Sequence, residues 1–87
     1  MYKLEIELRN ETGLHVRPAS LFVKEAAKYK SEISIIRNNV EYNGKSIMGI
    51  LSMGAAKGDK LMIIAKGEDE KEAIKGLKAL VDSNFGE

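Results

Sequence analysis

The stretch YKLEIELRNETGLHVRPASLFVKEAA, residues 2–27, contains a single change of hydrophobic period and decides the fold. Its first seven residues alternate apolar with charged side chains, which predicts a β-strand with one buried and one wet face. Residues 10–13 are typical loop formers. From about Val16, apolar residues recur at helical spacing, which predicts an amphipathic helix that ends near Lys28 or Tyr29. A strand, a loop and a helix therefore follow one another at the start of the chain.

Three more strands are predicted downstream from runs of β-branched and aromatic residues. Two of them, over residues 31–37 and 40–42, are separated only by the Asn38-Asn39 pair and form a predicted hairpin. The third covers residues 60–65. All three have partial one-sided character, so each is expected to bury one face.

Two more helices are predicted from capping residues and helical periodicity. A brief helix is predicted over residues 47–53, with Ser46 as its N-cap. Gly54 ends it, because glycine readily adopts the left-handed backbone conformation found just after a helix. The last helix begins at a capping box formed by Asp69 and Glu72, and it carries the longest apolar stripe of the chain. The order strand, helix, strand, strand, helix, strand, helix predicts an α+β fold in two layers, with helices on one face of an antiparallel sheet.

Length and composition limit the classes of protein to which the chain can belong. Its 87 residues hold one core, so a single domain over residues 1–87 is predicted. A net charge of +1 argues against nucleic acid as a partner. With no cysteine and one histidine, no thiolate or histidine-rich metal site is expected. The apolar runs are too short for a membrane span or a signal peptide, so a cytoplasmic protein is predicted.

The segment GLHVRPAS, residues 13–20, holds the one histidine and the one proline of the chain. Proline is best tolerated in the first turn of a helix, so Pro18 sets the helix start near Val16 or Arg17. His15 then lies at the helix N-terminus, where the backbone N–H groups and the helix dipole attract anions, phosphate above all. Arg17 adds a cation suited to phosphate oxygens.

The residues of this segment leave a second interpretation open. A lone histidine before a helix, such as His15, is more often a capping or surface residue than a nucleophile, and a lone arginine such as Arg17 is more often a solvated charge. The chain has no G-x-S-x-G elbow, no P-loop and no dinucleotide fingerprint, so these routes to catalysis are not indicated.

Several apolar residues are predicted to face solvent near the segment. Leu21 lies opposite the apolar stripe of its helix, beside Arg17 and Lys24. The short helix is apolar around most of its circumference, so part of the set Ile47, Met48 and Leu51 is expected to remain exposed. An exposed cluster rich in methionine indicates a protein-binding patch, and burial under a loop is the alternative.

Two motifs, TGLHVRPAS and GKSIMGILSMGAAKGD, resemble the HPr family of histidine-containing phosphocarriers of the bacterial phosphoenolpyruvate-dependent sugar phosphotransferase system. The resemblance covers essentially the whole chain. It implies an open-faced sandwich: a four-stranded antiparallel sheet of order 1-4-2-3 covered on one face by three helices. It further implies that the chain is a carrier without cofactor or metal and not an enzyme, and that it is a monomer.

The resemblance also implies roles for individual residues. His15 would accept a phosphoryl group on Nδ1 from enzyme I and pass it to the A component of a sugar-specific enzyme II. Arg17 would steady the group at the helix N-terminus with Val16, a position where the family most often has alanine. Both partners would dock on the two helices, with the implied contact residues Arg17, Ser20, Leu21, Lys24, Ile47, Met48 and Leu51.

Ser46 has a second implied role beside that of an N-cap. In the HPr proteins of low-GC Gram-positive bacteria, the matching serine is phosphorylated by HPr kinase/phosphorylase, and the product acts with a catabolite-control transcription factor. A regulatory-only module of the same fold is therefore an alternative, although the Crh relatives that act in this way have glutamine in place of the histidine. A small hydrolase of acyl phosphates is the other alternative.

Overall fold

A computed structural model of the chain describes residues 1–86. The elements along the chain are β1 (Tyr2–Glu7), α1 (Val16–Ala26), β2 (Glu32–Arg37), β3 (Val40–Asn43), α2 (Ile47–Met53), β4 (Lys60–Lys66), α3 (Glu70–Asp82) and a 3₁₀ turn (Asn84–Gly86). The predicted α+β class and element order are confirmed. The predicted single domain ends at Glu87, which lies outside the described residues, and this domain assignment stays a prediction.

The four strands form one antiparallel sheet in the order β1-β4-β2-β3, as implied by the family resemblance. β4 lies between β1 and β2, so Ile63 is opposite Leu4 on one side and opposite Ile35 on the other. Since side chains alternate along a strand, these three residues share the face that the helices cover. Ile63 and Ile35 are fully buried there.

The helices bury their predicted apolar stripes against this face of the sheet. The buried helical residues are Pro18, Ala19, Phe22 and Ala26 of α1, Ile50 and Met53 of α2, and Ala73, Ile74 and Leu77 of α3. Each of the larger side chains contributes about 2 kcal/mol through its burial. Phe85 joins the same core from the 3₁₀ turn with a φ of 57°, a contribution that the helical periodicity did not predict. Among residues 1–86, no helix is long and apolar enough to cross a membrane.

The first helix ends at Ala26, two to three residues earlier than predicted. Its last turn is tightened, because the N–H groups of Lys28 and Tyr29 donate to carbonyls only three residues back. The Tyr29 hydroxyl then turns back to donate to Glu25 Oε2 at 2.7 Å. This hydrogen bond to a carboxylate raises the pKa of Tyr29 to about 12.

The predicted capping box at the start of α3 is wrong. Asp69 is the N-cap by position, but its side chain makes no capping bond. Its carboxylate instead accepts hydrogen bonds from the N–H of Lys30 and from the N–H and hydroxyl of Ser31. Glu70, not Glu72, reaches back to the N–H of Gly67. The packing of the loop before β2 against α3 outcompetes the local cap.

Replacement of Asp69 by asparagine is expected to make the free energy of unfolding less sensitive to a fall in pH below about 4. The hydroxyl of Ser31 and then the backbone N–H of Lys30 lower the pKa of Asp69 below its ordinary 3.8. A depressed folded-state pKa stabilises the protein above the unfolded-state value, and this contribution is lost as the pH falls below about 4. Urea unfolding at pH 7 and pH 3 should show a smaller change for Asp69→Asn than for the unaltered protein. An equal change would contradict this role.

Candidate functional site

His15 is the N-cap of α1, as the position of Pro18 predicted. Its backbone is extended, with φ −93° and ψ −165°, and its carbonyl accepts the first helical bond from Ala19 at 2.9 Å. Its imidazole makes no capping bond and is exposed. The capping-histidine interpretation is therefore wrong for the side chain, because the backbone alone starts the helix. The ring is available to a reacting group from solvent.

The first turn of α1 begins directly after His15 and presents the positive end of the helix dipole there. Val16 and Arg17 occupy the first two helical positions, and both are exposed at the surface. N–H groups at such positions point out along the helix axis, where they and the dipole attract anions. Pro18 follows with its ring buried. Because it lies in the first turn, its missing N–H costs no helical bond. This arrangement supports an anion beside His15.

The loop before His15 is held against a segment that is distant in sequence. Gly13 has a φ of 63° and its carbonyl accepts a bond from Asn10 Nδ2 at 2.7 Å. The N–H of Leu14 donates to the carbonyl of Ala55 at 3.1 Å. A Cβ at Gly13 would lie 2.5 Å from the Ala55 oxygen and 2.7 Å from Ala56 Cα. Only glycine suits both the positive φ and this close approach.

The hydrogen bonds show that α1 and α2 run antiparallel. The start of α1 lies beside Ala55, just past the end of α2. Lys45, before α2, donates its Nζ to the carbonyl of Tyr29, just past the end of α1, at 2.6 Å. His15 and Ser46 are therefore at opposite ends of the helix pair.

Ser46 is the N-cap of α2, as predicted. Its Oγ accepts a hydrogen bond from the N–H of Gly49 at 3.0 Å. Gly54 ends the helix in the left-handed conformation with a φ of 65°, also as predicted. Ser46 is half-buried. Its phosphorylation stays a prediction.

Loss of the Ser46 hydroxyl is expected to destabilise the protein. Ser46→Ala leaves the Gly49 N–H without its side-chain acceptor, which should cost about 1 kcal/mol in the free energy of unfolding. Urea denaturation measures this value. Ser46→Asp keeps an acceptor and is the matched control, so its stability should stay close to that of the parent. Equal losses in both variants would show that capping is not the cause.

The expectation that part of the set Ile47, Met48 and Leu51 is exposed is confirmed, and Val16 on α1 is exposed as well. Met48 is 76% exposed, Val16 61% and Ile47 39%. Leu21 was predicted to face solvent, but it is half-buried and packs against the core, so this prediction is only partly correct. Leu51 is likewise half-buried against the core. The remaining predicted contact residues are an exposed Arg17, a half-buried Ser20 and an exposed Lys24.

Three grooves of the described surface lie away from His15. One of about 600 Å³ runs along β2 and β3, and two of about 330 and 460 Å³ lie beside α3. Small substrates usually bind in concave sites, and His15 lines none of these three grooves. Within residues 1–86, no three histidine, aspartate or glutamate side chains are grouped as metal ligands would be.

Comparison with known proteins matches this site and fold to one family. The family model described as the PTS HPr component phosphorylation site matches residues 2–83. The phosphocarrier protein HPr of Neisseria meningitidis is 41% identical over 87 residues, which are 100% of this chain and 98% of that protein. The HPr-like protein Crh of Bacillus subtilis is 42% identical over 81 residues, which are 93% of this chain and 95% of Crh.

Solved structures give the same result. The crystal structure of HPr-C-His from Thermoanaerobacter tengcongensis superposes with a TM-score of 0.97 at 49% identity, over 100% of this chain and 98% of that one. A crystal structure of an HPr dimer from the same organism gives a TM-score of 0.81 at 49% identity, with each chain fully covered. The family match, the relatives and the shared sheet order together show that this chain belongs to the HPr family of the phosphotransferase system, whose HPr members are phosphocarrier proteins and not enzymes.

Proposed function

We propose that the chain accepts a phosphoryl group on His15 from phospho-enzyme I and passes it to the A component of a sugar-specific enzyme II. The observation that carries this proposal is the exposed imidazole of His15 at the N-terminus of α1, with no capping bond to occupy it. The membership of the family supports the same role.

The transfer is a displacement at phosphorus. A ring nitrogen of His15, Nδ1 by resemblance to the family, donates its electron pair to phosphorus while the bond to the donor group of enzyme I breaks. The donor group keeps the electron pair of the broken bond. The phosphoryl oxygens then face the first turn of α1 and the cation of Arg17. The same step in reverse delivers the group to the next protein, so stabilisation of the carrier state must stay modest.

We propose that both partners dock on the exposed side of α1 and α2. Support comes from the 76% exposed Met48, whose flexible side chain adapts to different surfaces, and from the cations Arg17 and Lys24 on the neighbouring helix. The proposed contact set is Arg17, Ser20, Leu21, Lys24, Ile47, Met48 and Leu51. We further propose that the protein acts as a monomer in the cytoplasm, and sedimentation at several concentrations tests the monomer.

Phosphoryl labelling tests the assignment of His15. Incubation with phosphoenolpyruvate and enzyme I should give an acid-labile, base-stable adduct that peptide mass spectrometry places on His15. Absence of the adduct, or its placement elsewhere, would contradict the proposal. An assay with an acyl phosphate should show no phosphate release above the blank, because a phosphocarrier does not catalyse the hydrolysis of acyl phosphates. Release would favour the hydrolase alternative.

A regulatory function at Ser46 is the second candidate, favoured by the 42% identity to the HPr-like protein Crh. The proposed partners are HPr kinase/phosphorylase, with ATP as donor, and a catabolite-control transcription factor. A phosphate on Ser46 would remain at the N-terminus of α2, where the helix dipole favours negative charge. His15 and Ser46 lie at opposite ends of the helix pair, so one docking surface connects both positions.

Treatment with HPr kinase/phosphorylase and ATP should label Ser46 in the unaltered protein and leave Ser46→Ala unlabelled. The product should accept phosphoryl groups from enzyme I more slowly, because its added charge lies beside the docking surface. Label on both proteins would contradict the site. Label on Ser46 together with no labelling of His15 would favour the regulatory-only module.

A further inference from the structure

We propose that Arg37 is a positioning residue for phosphoryl acceptance at His15. It acts through Asp59 on residues 54–59, which we call the support segment. The proposal rests on the proposed function of His15 and adds two residues to it. Neither residue lies in the segment GLHVRPAS, residues 13–20. Asp59 is the last residue of the motif GKSIMGILSMGAAKGD, but the motif assigns it no role.

Arg37 joins the end of α2 to the start of β4. It is the last residue of β2, and its Nη1 donates to the carbonyl of Met53, the last residue of α2, at 2.8 Å. Its Nη2 lies 3.1 Å from Asp59 Oδ2. The planar guanidinium holds its donors in a fixed fork that reaches two separate acceptors, a geometry that the compact ammonium group of lysine does not reproduce. One side chain therefore holds Met53, which directly precedes the support segment, and Asp59, its last residue.

Asp59 passes this constraint to the loop that carries the nucleophile. Its Oδ2 also accepts from the N–H of Ala56 at 2.8 Å, and its own N–H donates to the Ala56 carbonyl at 3.0 Å. These bonds close the support segment into a turn. The carbonyl of Ala55 in that turn accepts the N–H of Leu14, the residue before His15.

The loop is held to the support segment at its other end as well. The N–H of Leu8 donates to the Asp59 carbonyl at 3.0 Å, and Gly58 N–H donates to the Leu8 carbonyl at 2.8 Å. Residues 9–13 therefore connect Leu8 and Leu14, both of which are hydrogen-bonded to the support segment. If that segment moves, the start of α1 and the His15 ring move with it. A misplacement of this kind slows transfer, while the exposed docking residues on α1 and α2 are unchanged.

The test uses Arg37→Met, which keeps the aliphatic stem and removes the fork. With enzyme I and phosphoenolpyruvate, kcat for this protein as substrate should fall about tenfold while KM stays within about twofold. The kcat of Arg37→Lys and of Asp59→Asn should fall less, because each variant retains one of the two bonds that Arg37 makes. Ile33→Val is the matched control for lost stability, since it shortens a core residue at the far end of β2 and should keep kcat. Lys78→Met, which breaks an exposed ion pair on α3, is the control for lost charge.

Amide hydrogen exchange gives a measurement independent of phosphoryl transfer. Leu14 should exchange about tenfold faster in Arg37→Met, while the helical amide of Ala73 keeps its rate. A kcat equal to that of Ile33→Val, a change confined to KM, or an unchanged Leu14 rate would overturn the proposal. If the unaltered protein takes no label on His15, the proposed function fails, and the Leu14 rate still decides whether Arg37 holds the loop.

Discussion

A His15→Ala variant is expected to take up no phosphoryl group from enzyme I and phosphoenolpyruvate. His15 is the one histidine of the chain, so no other imidazole can replace it. Its ring is exposed and makes no capping bond, so the free energy of unfolding should stay within about 0.5 kcal/mol of the parent. Acid-labile label, read by mass spectrometry, measures the loss. Urea denaturation on the same sample measures the stability.

Two comparison variants separate loss of the nucleophile from weaker effects. Arg17→Ala should still be labelled at His15, but about tenfold more slowly, because a charge-assisted bond to the phosphoryl oxygens is worth about 1.5–3 kcal/mol. Lys78→Ala removes a distant surface charge on α3 and should be labelled at the parent rate. Label on His15→Ala, or equal rates for Arg17→Ala and the parent, would contradict the assigned roles.

A Gly13→Ala variant is expected to lose about 2–5 kcal/mol of unfolding free energy. About 1–2 kcal/mol comes from the positive φ of 63°, which a Cβ disfavours. About 1–3 kcal/mol comes from overpacking, because the new Cβ meets the Ala55 carbonyl at 2.5 Å and Ala56 Cα at 2.7 Å. Both neighbours are backbone, so they cannot rotate away. Phosphoryl transfer should slow as well, because the displaced loop leads into His15.

Gly54→Ala is the matched control for this prediction. Gly54 has a nearly identical φ of 65°, yet a Cβ there would meet nothing within 4 Å. Its substitution should therefore cost only the conformational part, about 1–2 kcal/mol. The difference between the two variants measures the contact between the loop and residues 55–56. Equal losses in urea denaturation would show that this contact contributes nothing.

Much of the fold was predictable, because it is encoded in short-range patterns. Alternation in β1 identified the strand and the face that is half-buried through Leu4 and Ile6, and Ser46 with Gly54 bounded α2 at the observed residues. The predicted capping box of α3 was wrong because a distant partner competes for its carboxylate. Asp69 has the sequence context of a local cap, but its carboxylate serves the N–H groups of Lys30 and Ser31, 39 and 38 residues away.

The features of the candidate site likewise divide into those set by local sequence and those set by tertiary packing. Pro18 alone indicates where α1 begins, so the sequence by itself determined that His15 lies at a helix N-terminus, and the periodicity determined that helices cover one face of the sheet. Only the tertiary structure decided that Gly13 packs against residues 55–56 and that Leu21 is half-buried. Only the tertiary structure likewise decided that Arg37 holds Asp59. Periodicity and capping depend on neighbours within one or two turns, whereas these contacts depend on how separate elements pack, which no single segment encodes.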